Sequence, residues 1–150
     1  MAENIRVAII GAGLGGLATA CALRLHGIEA VIYERAAELG EVGAGIQLAP
    51  NAVKVLRAIG VEAELSRLSS EPLNYVSLAW DNARLRYREP MKGPYAAQFG
   101  APYLMVHRSD LHRLLSEQIP EHCLRLAMHC VGVDSINGVG VARFSDGTQI

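Results

Sequence analysis

Apolar and polar positions divide the chain into recognisable stretches. "IRVAII" (Ile5–Ile10) is a short, β-branched apolar run of the kind that forms a parallel strand buried on both faces. Gly11–Gly16 interrupts it. Leu14, Leu17, Ala18, Cys21 and Leu25 then recur at helical spacing, and Gly27 is placed to close that helix. "EAVIYER" (Glu29–Arg35) is a second apolar strand that finishes in two charges. Strand, glycine-rich turn, helix and strand in so short a stretch predict a βαβ unit with a right-handed crossover.

Further on, Gly40–Gly45 reads as a loop. Pro50-Asn51 opens a helix that sets Val53, Leu56 and Ile59 on one face, and Gly60 ends it. Between Pro72 and Arg88 the period changes to two: Tyr75, Ser77 and Ala79 alternate with Val76, Leu78 and Trp80. After a turn at Asp81-Asn82, Leu85 and Tyr87 alternate with Arg84, Arg86 and Arg88. This predicts an antiparallel hairpin, foreign to a parallel unit and therefore read as an excursion into a second domain. "PYLMVHRSDLHRLLSEQI" predicts a strand and then a helix capped by Ser109 or Asp110. "CLRLAMHCVGVDSI" and "GVGVARFSDGTQI" are strands joined at Asn137-Gly138, and Asp146-Gly147 begins another hairpin that has only Thr148, Gln149 and Ile150 after it. So short an arm buries little, and a central strand such as Val7–Ile10 needs partners on both edges. The expectation is an amino-terminal piece of a longer protein, whose unfilled sheet edge leaves self-association into a homo-oligomer open.

Composition narrows the function classes. The 150 residues are 51% hydrophobic and 19% charged, which is globular rather than disordered material. A formal net charge of -1, with arginine spread along the chain, gives no reason to expect nucleic acid or an anionic membrane as partner. Cys21, Cys123 and Cys130 form no C-x-x-C pair, so a disulfide framework is not expected and a cytoplasmic setting is. His122-Cys123 and His129-Cys130 make two pairs that could suggest zinc. The "LRLAM" between them reads as a strand, and no metal site is expected. The uncharged opening run could also be a secretion signal. Its four glycines between Gly11 and Gly16 argue against an apolar signal helix, and the run is too short to span a membrane.

Chemistry concentrates in Gly11-x-Gly13-x-x-Gly16. A strand before it, a helix after it and an acid, Glu34, at the end of the next strand are the context that gives this motif meaning. Gly11 permits the tight turn, Gly13 lets a pyrophosphate approach the backbone, and Gly16 allows close helix–strand packing. The N–H groups of Leu14 and Gly15 can face the negative charge, and Glu34 can accept both hydroxyls of an adenosine ribose. That acid selects against a 2′-phosphate. Spacing alone leaves NAD and FAD both open.

"VAIIGAGLGGLATACALRLHGIEAVIYER", "GAGIQLAPNAVKVLRAIG" and "APYLMVHRSDLHRLL" resemble, in order, blocks of the class A flavoprotein aromatic hydroxylases, on the salicylate hydroxylase and 6-hydroxynicotinate 3-monooxygenase branch. The resemblance implies an α/β fold: a Rossmann-like βαβ FAD-binding domain of the glutathione-reductase type over 1–71 and 101–150, incomplete at its C-terminal end. Residues 72–100 would be part of a substrate domain. It implies FAD as cofactor, held by Gly11, Gly13, Leu14, Gly15, Gly16, Glu34 and Arg35. Gly45 and Ile46 would pass the flavin, Arg108 would reach the cofactor, and Val131 would abut the adenine. NADH or NADPH would reduce the flavin transiently, and O2 activated at flavin C4a as a hydroperoxide would hydroxylate an aromatic or heteroaromatic carboxylate. Gln47 stands where some relatives carry a histidine, and an amide cannot act as a base. His107 and His112 are candidate bases whose positions suit structural roles better, so the catalytic residue stays unassigned. Another FAD or NAD oxidoreductase with the same opening, or a non-catalytic dinucleotide-binding module, are the competing readings. The "GAGIQLAPNA" block favours the hydroxylase, and the 150 residues alone are not expected to be fully active.

Overall fold

The computed structural model describes residues 6–40 and 43–150, so Ile5 and part of the Gly40–Gly45 loop lie outside it. The chain forms two compact units, Met1–Glu41 with Leu115–Ile150, and Val42–Leu114. These boundaries follow contacts within the chain, and they differ from the sequence division at 72–100.

In the first unit, β1 (Val7–Ile10) leads through Gly11–Gly13 into α1 (Leu14–Leu25), and β2 (Ala30–Tyr33) follows. β1 and β2 are parallel, with Val7 opposite Ala30 and Ile10 opposite Tyr33. α1 buries Leu17, Ala20 and Cys21, while Leu25 is exposed, so the buried stripe is narrower than its periodicity suggests. The helix ends as glycine allows: Gly27 takes φ +71° and donates to Arg24 O, and Ile28 N–H reaches back to Leu23 O. Contrary to the expectation of burial on both faces, β1 alternates between half-buried and exposed, and Ile10 is 46% exposed. The reason is its place in the sheet. In the order β1-β2-β8 it is an edge strand among the described residues.

The second unit begins with β3 (Gly45–Leu48), a strand that the glycine-rich sequence conceals, followed by α2 (Pro50–Ile59). α2 buries Val53 and Leu56 and is closed by Gly60 at φ +91°. α3 (Glu62–Leu68) and β4 (Ser69–Ser70) come next, then an antiparallel hairpin of β5 (Asn74–Leu78) and β6 (Leu85–Pro90), with Ser77 opposite Tyr87. Tyr75, Val76, Leu78 and Leu85 on this hairpin are all about half exposed, and Trp80 in its turn is almost fully so. After α4 (Pro94–Phe99), β7 (Leu104–His107) pairs antiparallel with both β3 and β4. α5 (Arg108–Ser116) starts directly at Arg108. Ser109 and Asp110 therefore lie inside its first turn instead of capping it. Ser109 Oγ meets His107 Nδ1 at 3.1 Å.

Back in the first unit, a single 3-10 turn (Glu121–Cys123) precedes β8 (Leu124–Arg125), which runs parallel to β2. Only these two residues of "LRLAM" are strand. β9 (Cys130–Ile136) and β10 (Val139–Phe144) form a hairpin whose turn residues, Asn137 and Gly138, take φ +52° and +79°. That is the doubly left-handed geometry for which Asn-Gly is suited. The final residues fold back: Phe144 N–H donates to Thr148 O, and Ala142 and Ile150 exchange backbone hydrogen bonds.

Candidate dinucleotide site

The glycines of the first loop have distinct physical tasks. Gly11 takes φ +100° and donates its N–H to Tyr33 O at 2.8 Å, tying the loop to the end of β2. A Cβ on Gly16 would stand 2.0 Å from Gly11 O, so the helix can leave the strand at this angle only with glycine there. Gly13 and Gly15 differ: a Cβ at either meets nothing within 4 Å. Their lack of a side chain leaves open space beside the start of α1. That helix begins at Gly13 with no side-chain cap and no acid in its first turn, so its leading N–H groups are presented to an incoming anion.

Glu34 organises the other half. Its Oε2 accepts the N–H of Ala12 at 2.7 Å, and its Oε1 accepts that of Ala36 at 2.9 Å. Burial opposes its charge. The two amides and the positive charge of Arg35 outweigh burial and hold the carboxyl below its ordinary value. Each oxygen retains acceptor capacity beyond these bonds, enough for a diol. Glu34, Arg35 and Gly11 line a cavity of about 190 Å³ together with Ile10, Tyr33, Met128, His129 and Cys130.

The last three of these were not anticipated. They reach the cavity because the chain leaves β8 after Arg125. Ala127, at φ +57°, donates to Ala36 O, and Met128 N–H donates to Glu34 O. A left-handed alanine inside an apolar run has no sequence signature, and "LRLAM" reads as uninterrupted strand for that reason. Val131 follows directly on Cys130 and is 58% exposed, outside the cavity lining.

Gly45, Ile46 and Arg108 belong to the second unit and lie close to one another there. Gly45 is opposite His107 and Ile46 opposite Val106 in the β3–β7 ladder. Arg108 donates its N–H to Ala44 O at 3.2 Å. Gly43 also has a role that sequence reading missed: a Cβ there would come within 3.1 Å of Arg108 Cβ, so the glycine lets the arginine's stem cross the loop. Gln47 accepts the hydroxyl of Tyr103 at 2.6 Å. His112 is buried in α5, while His107 is exposed beside Ser109.

The residues present suit a dinucleotide with an unphosphorylated adenosine ribose. Open space lies beside Gly13 and Gly15, α1 starts there without a side-chain cap, and Glu34 bonds the Ala12 amide of the same loop. Cys21, Cys123 and Cys130 are all free thiols. No helix among the described residues is long and apolar enough to cross a membrane.

Comparison with known proteins agrees with this arrangement. Over 149 residues the chain is 38% identical to 6-hydroxynicotinate 3-monooxygenase of Pseudomonas fluorescens, covering 99% of this chain and 38% of that protein. Over 147 residues it is 36% identical to 3-amino-4-hydroxybenzoate 2-monooxygenase of Streptomyces cremeus, covering 98% of this chain and 37% of the relative. The chain thus spans well under half the length of these relatives. Among solved structures, Klebsiella pneumoniae HpxO complexed with FAD and uric acid superposes at a TM-score of 0.81 with 22% identity, covering 97% of this chain and 36% of that one. The tetrameric form of 2-methyl-3-hydroxypyridine-5-carboxylic acid oxygenase gives 0.78 with 24% identity and the same coverages. These likenesses establish the fold. Residues 4–130 match the family described as FAD binding domain, and that stretch holds the glycine loop, Glu34 and Arg108. With glycines, acid and flanking strands in register and the match running through all of them, the chain belongs to this FAD-binding family, as represented in the class A flavoprotein aromatic hydroxylases.

Proposed function

We propose that this chain is the FAD-anchoring part of a monooxygenase that hydroxylates an aromatic or heteroaromatic carboxylate at the expense of NAD(P)H and O2. The observation that carries the proposal is the junction of Gly11, Ala12 and Glu34. One carboxylate fixes the phosphate loop and faces the cavity in which an adenosine would lie. The choice of reaction rests on the relatives, which include a 6-hydroxynicotinate 3-monooxygenase and a 3-hydroxybenzoate 6-hydroxylase.

In this reading Gly13, Leu14, Gly15 and Gly16 surround the pyrophosphate, and the start of α1 supplies N–H groups and the positive end of its dipole. Glu34 holds the ribose with Arg35 beside it, and the backbone at Val131 abuts the adenine. Gly45 and Ile46 pass the flavin, and Arg108 reaches toward the cofactor. FAD, when bound, supplies the oxygen activation, so the residues of this chain bind, orient and exclude water rather than react. The fold follows the Rossmann-like, glutathione-reductase-type plan. Residues 72–100, with their half-exposed hairpin, belong to a substrate domain whose sheet covers Tyr75, Val76 and Leu78. The setting is cytoplasmic, in keeping with three free thiols.

The test has two arms. FAD titrated into the purified chain should quench its fluorescence saturably, and NADP should not displace it. Substrate-dependent NAD(P)H oxidation with hydroxylated product should appear with the complete gene product and not with these 150 residues alone. Failure of FAD to bind would remove the reading, and full hydroxylase activity from the isolated chain would remove its partition of labour.

A further inference from the structure

At the end of the parallel strands opposite the glycine loop, three side chains of different chemistry converge. Glu29 directly precedes β2, and His122 and Cys123 directly precede β8, its parallel neighbour. That pairing sets the two strand starts side by side and brings together residues far apart in sequence. One donor atom from each of Glu29, His122 and Cys123 lies within 4.8 Å of the other two, and His122 Nε2 stands 3.4 Å from Glu29 Oε2.

The donors of a tetrahedral zinc site are roughly 3.3–3.8 Å apart, given metal–donor lengths of about 2.0–2.3 Å. The imidazole–carboxylate pair already has that spacing. The cysteine needs an approach of about 1 Å. Glu29 and His122 can make it, because their side chains are 68% and 66% exposed. Cys123 is only 2% exposed and is held by its N–H on Pro120 O, so the fixed ligand is the soft one and the adjustable ligands are on the surface. This leaves a fourth position for water. Two cations stand near the thiol. Arg24 donates from Nη1 to the Gln118 carbonyl at 2.5 Å, and Arg125 donates to the Leu124 carbonyl.

We propose that Glu29, His122 and Cys123 form a site for a zinc-like divalent cation, separate from the flavin site and clipping the start of β8 to the start of β2. A sulfur, a nitrogen and a carboxylate oxygen in one cluster select a borderline ion over calcium or magnesium. On binding, the thiol releases its proton to solvent and the sulfur bonds the metal. The two His-Cys pairs of the sequence therefore part company. One of them gains its third ligand from Glu29, and the other lies at the dinucleotide cavity.

Cobalt(II) titrated into tag-free purified chain, followed by difference spectroscopy, tests this. The expected result is one equivalent bound, with a thiolate-to-cobalt charge-transfer band and the visible bands of a tetrahedral site, both abolished by added zinc. C123S should lose the charge-transfer band, and C130S should keep it. H122A and E29Q should each weaken binding at least about tenfold, since removing even an outer partner of a metal ligand costs that much. Their exposed positions keep the fold intact should C123S fail to fold. No charge-transfer band, a band that survives C123S, or unchanged affinity in both H122A and E29Q would overturn the proposal.

Discussion

The carboxylate of Glu34 accepts the N–H of Ala12 at 2.7 Å, so the acid at the end of one strand fixes the loop that follows the other. An amide-to-carboxylate bond of this kind is worth about 1.5–3 kcal/mol. Replacing Glu34 by Ala loosens the loop and removes the proposed ribose partner together. FAD affinity in E34A is expected to fall roughly 10–100-fold, the range those energies convert to. Isothermal titration with FAD measures it, and an unchanged dissociation constant would separate the acid from the cofactor.

The same pair predicts a pH dependence. The Glu34 carboxyl is held below its ordinary 4.5 in the folded chain, burial being outweighed by the Ala36 and Ala12 amides and by Arg35. Its contribution to stability is therefore complete above that ordinary value and is lost as pH falls through the lowered folded value. Glu62, lowered by its bond from Arg57, and Asp146, lowered by Thr148, add to the same acid slope. Melting temperature should decline on acidification below about pH 4.5, and E34Q should flatten only its own part of that decline. Parallel thermal scans of both proteins across the range decide this.

Two neighbouring glycines should respond in opposite ways. An alanine at Gly16 puts a methyl 2.0 Å from a backbone oxygen that no rotamer change can move, so G16A should cost at least about 1–3 kcal/mol. An alanine at Gly15 meets nothing, and helix propensity favours it by up to about 1 kcal/mol. G15A should melt no lower than the parent, yet bind FAD more weakly, because its methyl occupies space cleared for the pyrophosphate. Calorimetry paired with flavin titration separates the two. Weaker melting without weaker binding in G15A would mean that the cleared space is not a phosphate site.

Sequence patterning reached the first βαβ stretch, both helix-ending glycines and the two hairpins, because each rests on local rules of period and left-handed backbone. It missed β3, whose Gly45 and Gln47 carry no strand signal and whose order comes from pairing with distant β7. It overextended β8, since the turn at Ala127 is imposed by backbone bonds to Glu34 and Ala36. It placed β1 centrally, where the described sheet has it at an edge. Of the residues lining the cavity, Gly11 and Glu34 stand out through the glycine motif and its acid and Arg35 only through the family resemblance, whereas Met128, His129 and Cys130 arrive by a tertiary route that no spacing records.

The β9–β10 turn offers a stability prediction independent of any ligand. Gly138 stands at φ +79° after Asn137 at +52°, so G138A places an L side chain in the left-handed region at a cost of roughly 1–2 kcal/mol. A Cβ there touches nothing, so strain alone sets the size. Urea denaturation should show a lower midpoint with an unchanged slope. No shift in midpoint would place the turn outside the cooperative unit.

Nucleotide choice gives the sharpest test of what Glu34 does. An ionised acid beside the ribose accepts hydroxyl protons and repels a 2′-phosphate, whose oxygens have none to give. ADP should therefore compete with FAD, and 2′,5′-ADP should not. In E34Q the charge is gone while the shape remains. The glutamine keeps one acceptor oxygen where the carboxylate has two, so the loop is held through Ala12 or Ala36 alone and the repulsion is gone. The gap between the two competitors is then expected to narrow, chiefly through better binding of 2′,5′-ADP. Competition titrations in parent and variant read this directly. Equal competition by both nucleotides in the parent would mean that Glu34 serves the loop alone, and that the ribose lies elsewhere.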